Sequence, residues 1–156
     1  DSEFAPSAQF TFGDYAYNAG QYEQALQAYS IVEERYKTST VAQQVPKLKK
    51  ELVEAIAYEA YEKGLALMDS AEVDSRLEFY EEAIVVFEEI ADKYEGTESA
   101  LGALSNMGVC LEGVGKWNEA IRVYDQVIEM YEEKKATRDA YQFAKSHRDW
   151  IVASRL

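Results

Sequence analysis

Apolar residues recur three or four positions apart along almost the whole chain, in blocks separated by short polar or glycine-bearing breaks. That is the period of helices with one apolar face. Residues 1 to about 7 hold Pro6 and no clear period, and are expected to lead into the first helix. In residues 8–19, Ala8, Phe12, Tyr15 or Ala16, and Ala19 fall on one face, the apolar stripe of that helix. Gly20 supplies the break, since glycine takes the left-handed conformation that ends helices. Tyr22, Ala25, Tyr29, Val32 and Tyr36 form the next stripe, with Glu23, Gln24, Gln27, Glu33 and Glu34 on the other face.

Thr38-Ser39-Thr40 reads as a capping signal. Residues 41–71 carry the longest helical signal in the chain, with Pro46 either in the first turn or at a kink. Lys47, Lys49 and Lys50 read as a solvated basic face. Residues 69–75 are polar, and Ser75 with Glu78 suggests a capping box, Asp74 being the alternative cap. Leu77, Tyr80, Ala83, Ile84, Phe87, Ile90, Ala91 and Tyr94 make the next stripe, opposite Glu78, Glu81, Glu82, Glu88 and Glu89. Gly96 closes it and Thr97 caps a helix bearing Ala100, Leu101, Leu104, Met107, Gly108 and Leu111 up to Gly113 and Gly115. Trp117, Ala120, Ile121, Tyr124, Val127, Ile128 and Tyr131 follow. A last helix, about 137–154, carries Ala140, Phe143 or Ala144, His147, and Trp150 or Ile151.

Three of these blocks share one grammar. Tyr22, Ala25, Tyr29, Val32 and Tyr36 match Tyr80, Ala83, Phe87, Ile90 and Tyr94, and also Trp117, Ala120, Tyr124, Val127 and Tyr131, at identical spacing. Gly13 precedes Tyr22, and Gly108 precedes Trp117, by nine residues, whereas Gly64 precedes Tyr80 by sixteen. The unit is a helical hairpin. Small residues (Gly13, Gly108, Ala25, Ala83, Ala120) let its helices approach, and the leading aromatic fills the wedge beside the turn. The later aromatic is expected to pack against the next hairpin. One hairpin cannot bury its faces alone, but stacked neighbours can.

These residues resemble the tetratricopeptide repeat (TPR) family, whose signature runs W-x2-L-G-x2-Y, then small and aromatic residues and a proline. The third block carries the resemblance best, through Leu104, Met107-Gly108, Leu111, Gly115, Trp117, Ala120, Tyr124 and Val127. The first follows with Phe12-Gly13, Ala16, Gly20, Tyr22, Ala25, Tyr29 and Val32, and the second fits once its hairpin is lengthened. The family's closing proline is replaced by Lys37, Glu95 and Glu132. The shared terminal tyrosine, twice followed by a Ser/Thr cap, is similar to bacterial envelope TPR proteins of the Tol–Pal and outer-membrane assembly lipoprotein type. That resemblance implies a periplasmic setting. The family implies an all-α fold, a right-handed superhelical stack of helical hairpins. The expected organisation is one domain with repeats at about 8–37, 40–95 and 98–132 and a capping helix at about 137–154.

Charge narrows the partners. The chain holds 16 basic and 29 acidic side chains, a net −13, which repels nucleic acid and anionic lipid and favours a neutral or basic partner. It also keeps helices soluble. Residues 134–156 run against this trend, with Lys134, Lys135, Arg138, Lys145, Arg148 and Arg155 against Asp139 and Asp149. Their net +4 leaves −17 for the rest, so the basic end is expected to dock on an acidic face of the same chain or of a neighbouring copy. No apolar run is long enough to span a membrane, and residue 1 opens no secretory pattern, which leaves a mature chain or a piece of a longer protein.

Catalytic material is scarce. His147 is the only histidine and reads as a packing residue on its stripe, so neither a triad nor a His-based metal site is expected. Cys110 is the only cysteine and reads as a small buried hydrophobe. Gly113-Val114-Gly115 lacks the third glycine and the preceding strand of a nucleotide loop. The pairs Glu33/Glu34, Glu81/Glu82 and Glu88/Glu89 read as solvated surface. No cofactor and no metal are expected.

The resemblance instead implies protein binding in a concave groove lined by the first helix of each repeat. Transferred position by position, the contact residues are Phe10, Asp14, Tyr17 and Asn18, then Tyr58, Tyr61, Leu65 and Met68, then Ser105, Val109 and Glu112. Aromatics and a methionine there could anchor a peptide or helix. The Lys/Asn clamp with which some TPR domains hold a terminal carboxylate is absent, since Phe10 and Asp14 stand in its place. The expected function is a non-catalytic interaction scaffold. The alternatives are a self-assembly module joined through the basic terminal helix and acidic body, with a possible homo-oligomer, and an enzyme-associated domain of a longer chain.

Overall fold

The computed structural model describes residues 4–156, so Asp1–Glu3 of the expected leader lie outside the described residues. Among the described residues every regular element is helical: α1 Phe4–Asn18, α2 Tyr22–Arg35, a 3-10 turn Val41–Gln44, α3 Val45–Asp74, α4 Leu77–Lys93, α5 Glu98–Gly113, α6 Trp117–Glu132 and α7 Arg138–Arg155. The first helix begins earlier than the sequence suggests. Pro6 falls inside its first turn, where a missing N–H costs nothing because no intrahelical partner exists there. Pro46 sits likewise in the first turn of α3.

Turn chemistry follows the sequence closely at most breaks. Gly20, Gly96 and Gly115 all have positive φ. Thr97 and Thr137 cap α5 and α7, their hydroxyls accepting from the N–H of Ala100 and Ala140. Ser39, within the Thr38–Thr40 signal, accepts from the N–H of Ala42. The Ser75–Glu78 box does not form. Helix α3 continues through Asp74, Ser75 takes a positive φ that ends it, and Arg76 becomes the residue before α4. Arg76 pairs with Glu78 on the exposed surface instead.

The chain forms two compact units that divide within α3, one up to Ile56 and one from Ala57 to Leu156. In the first, α1 and α2 form a hairpin around Ala16, Ala25, Tyr29 and Val32, joined by Ala42, Val45 and Leu52 from the turn and the start of α3. Lys49 reaches Glu33 at 2.9 Å, so neither residue belongs to a purely solvated face. The expected stripe of α1 is corrected. Ala8, Phe12, Tyr15 and Ala19 are exposed, and the buried face is Pro6, Gly13 and Ala16. Both faces are apolar, and the one that carries the glycine fits against α2.

The second unit packs the remainder of α3 with α4, α5, α6 and α7 around Phe87, Ile90, Leu104, Cys110, Tyr124, Val127 and Ile151. Ala57, Gly64 and Ala71, spaced seven apart on α3, are buried. The same close approach recurs in every hairpin. A Cβ placed on Gly13, Gly64 or Gly108 would fall inside 3 Å of a ring carbon of Tyr29, Phe87 or Tyr124 respectively. The later aromatic therefore packs first on its own hairpin, not on the next one as expected. Tyr124 does both, since its ring also meets Phe143 and His147 of α7. In the lengthened hairpin the added residues extend the end of α3 and the start of α4, and the Gly64–Phe87 contact is retained.

Burial, and then the carboxylates of Asp14 and Glu112, push the phenols of Tyr29 and Tyr124 well above their usual value. The folded state thus holds these protons where the unfolded state releases them. Their contribution to stability is complete below pH ~10 and declines above it, by about 1.4 kcal/mol per pH unit for each tyrosine. Denaturant titrations between pH 9 and 11.5 should show this fall, with a shallower slope in Tyr29→Phe or Tyr124→Phe.

Candidate binding groove

Helix α3 places Tyr58, Tyr61, Leu65 and Met68 along one side because three- and four-residue spacing keeps them in one row. Tyr58 is 54% and Leu65 37% exposed, while Met68 is half-buried beside the core. Tyr61 is more constrained. Its ring lies 5.9 Å from that of Phe87, a Cβ on Gly102 would press on its hydroxyl end, and Asn106 Nδ2 donates to its hydroxyl at 2.7 Å. Burial raises the Tyr61 phenol above its usual value, and the Asn106 bond opposes that shift. Tyr61 thus ties α3 to α5 and sets the floor between them.

On α5, Ser105 and Val109 are half-buried, and the Ser105 hydroxyl donates to the Leu101 carbonyl at 3.3 Å. Glu112 is largely enclosed. Its carboxylate accepts from the Tyr124 hydroxyl at 3.1 Å and faces His147 Nδ1 at 3.0 Å. Val109 and Glu112 line a cavity of about 550 Å3, completed by Tyr80, Gly113, Trp117, Ser146, His147 and Trp150. Trp117 and Trp150 meet edge to face, and the Arg155 guanidinium lies over both rings.

Four of the expected contact residues lie in the first unit. Phe10 packs its ring on Tyr29, the Tyr29 hydroxyl donates to Asp14, and Tyr17 meets Tyr22 edge to face. Asn18 is exposed. Phe10, Asp14 and Tyr17 therefore spend part of their surface on the hairpin itself.

The transfer by repeat position omitted the wall supplied by α7. His147 is two-thirds covered on the stripe where packing was expected, yet it also edges the cavity and holds Glu112. Phe143 and Trp150 are the exposed margin of that stripe with half-buried His147 between them, while Ala144 and Ile151 fill the core. The signal was present as an apolar band too wide for one buried face. A second, larger hollow of about 950 Å3 lies at the opposite helix ends, between the α4–α5 turn and the end of α6. Its rim mixes Asp92, Glu95, Glu98 and Glu129 with Lys134 and Lys135.

Cys110 is fully buried, and burial pushes its thiol up to about 12, which makes it a packing residue rather than a nucleophile. Among the described residues no group of three or more His, Cys, Asp and Glu side chains is arranged to hold a metal ion. No helix among them is long and apolar enough to cross a membrane.

Comparison with known proteins agrees with the hairpin geometry. Residues 103–136, from within α5 to just past α6, match the family model described as tetratricopeptide repeat. This supports a relationship of the chain to that family. No curated protein matches the chain.

Proposed function

We propose that the chain is a non-catalytic scaffold that holds a protein segment against the inner row of its second unit, formed by α3, α5 and α7. One observation carries this reading. Tyr58 and Leu65 are exposed and Met68 half-buried along α3, and Val109 of α5 lines a cavity walled by Trp117 and Trp150, so apolar anchors have both a surface and a recess to fill. The acidic chain favours a neutral or basic segment. The family relationship supports the same class of function.

The reading in which the basic terminal helix joins neighbouring copies is less favoured. Arg148 bonds Asp125, Lys145 bonds Asp149, Lys135 bonds Glu133, and Arg155 covers two tryptophans, so four of the six cations are engaged inside the chain. Exposed pairs of this kind contribute little to stability but do reduce the free charge on offer.

Affinity capture with the wild type and single variants tests the groove. A partner should be retained at least tenfold less by Leu65→Glu and by Tyr58→Ala, and unchanged by Glu81→Lys on the outer face of α4. Retention of every captured partner by the two groove variants would overturn the proposal.

A further inference from the structure

Helix α1 has a second apolar face. Phe4, Ala8, Phe12, Tyr15 and Ala19 are spaced four, four, three and four apart and form one stripe along the helix and its first following residue. All five are exposed, the rings at 81%, 57% and 76%. The face turned away from them, Pro6, Gly13 and Ala16 with Phe10 and Tyr17, is the one that packs in the hairpin.

The repeat itself shows what this register is for. Aligned on the glycine beneath the aromatic ring, Phe4, Ala8, Phe12 and Tyr15 correspond to Ser99, Ala103, Met107 and Cys110 of α5. Those four are buried, and Ala103, Met107 and Cys110 share a core with residues of α4. In α3 the register falls on Glu59, Lys63 and Ala66 for Ala8, Phe12 and Tyr15, and all three are exposed. At these positions α3, which meets water, carries two charges and an alanine, whereas α5, which meets another helix, carries three apolar residues and one serine. By that internal standard α1 has the outer face of a covered helix.

We propose that this face pairs with the same face of a second copy, α1 antiparallel to α1 about a two-fold axis near Phe12. The order of side-chain size is self-complementary under that operation. Phe4 of one copy lies against Ala19 of the other, Ala8 against Tyr15, and the two Phe12 rings meet at the axis. Charge agrees. Asp14 is the one charged residue in α1, and its carboxylate already accepts the Tyr29 hydroxyl. Two chains of net −13 can therefore meet along α1 without setting charge on charge. One helix face per copy falls short of the roughly 800 Å2 per partner of a standard interface, so the dimer is weak and reversible.

Sedimentation equilibrium across a concentration series tests this. The wild type should move from the mass of one chain toward that of two. Phe12→Glu and Tyr15→Glu should each raise the dissociation constant at least tenfold, with unchanged helical circular dichroism because both positions are exposed. Gln24→Glu, which adds the same charge on the exposed face of α2, should leave it unchanged. Register is read by oxidation with copper phenanthroline, with the buried Cys110 of the wild type as a silent control. Phe12→Cys alone should form a covalent dimer, whereas Ala8→Cys and Tyr15→Cys should cross-link to each other in mixture and poorly alone. A single-chain mass at every concentration, or a dimer indifferent to both Glu substitutions, would overturn the proposal and assign the face to a helix of other origin. A cross-link pattern in which Ala8→Cys alone dimerises best would overturn the two-fold near Phe12.

Discussion

Replacing Gly108 by alanine is expected to destabilise the second unit by roughly 2 kcal/mol, although helix propensity alone favours alanine by about 1 kcal/mol. The sign is decided by Tyr124. A Cβ at position 108 would fall inside 3 Å of two ring carbons of Tyr124, a side chain with no exposed surface. The ring cannot retreat. Phe143 and His147 lie against it, and its hydroxyl is fixed on Glu112. Either the ring leaves its rotamer or α5 and α6 move apart, and both outcomes disturb a close-packed core. Urea denaturation should show a lower midpoint with an unchanged slope, since the surface exposed on unfolding is the same. A neutral or stabilising Gly108→Ala would mean that propensity outweighs the contact and that the helices of the hairpin are not in close approach.

Phe87→Ala should cost more, about 3–5 kcal/mol, because it removes a fully buried ring and leaves a cavity. That is a large fraction of the 5–15 kcal/mol that typically separates folded from unfolded chains. The ring fills the space left by Gly64 on α3 and supports Tyr61 at 5.9 Å. The damage should therefore reach the groove, where Tyr61 bonds Asn106. Gly64→Ala combined with Phe87→Leu should be less destabilising than the sum of the single changes, because the added methyl enters the volume that the smaller side chain vacates. A double-mutant cycle by chemical denaturation measures this. Strict additivity would show that Gly64 and Phe87 do not share one packing site.

The repeat, its turns and its caps were legible because each depends on local chemistry. Gly20, Gly96 and Gly115 end helices through their own backbone freedom, and Thr97 and Thr137 cap through a side chain three residues from its donor. The failure at Ser75 was also local. Two polar residues competed for one cap, but α3 ran through Asp74 and ended at Ser75, which left Arg76 as the residue before α4. The candidate groove was legible in part. Tyr58 and Leu65 are exposed and Met68 and Val109 half-buried at the positions the repeat assigns, whereas the cavity beside Val109 also takes Trp117 from α6 and His147 and Trp150 from α7.

Sequence by itself determined the helical period, the hairpin unit and the acidic character, because spacing and composition act over one or two turns of chain. Tertiary structure decided which of two apolar faces α1 buries, which ring each glycine receives, and that His147 meets Glu112 across 35 residues. Periodicity states that a face is apolar but not what covers it. That depends on which helix packs there, and for the stripe from Phe4 to Ala19 nothing among the described residues does.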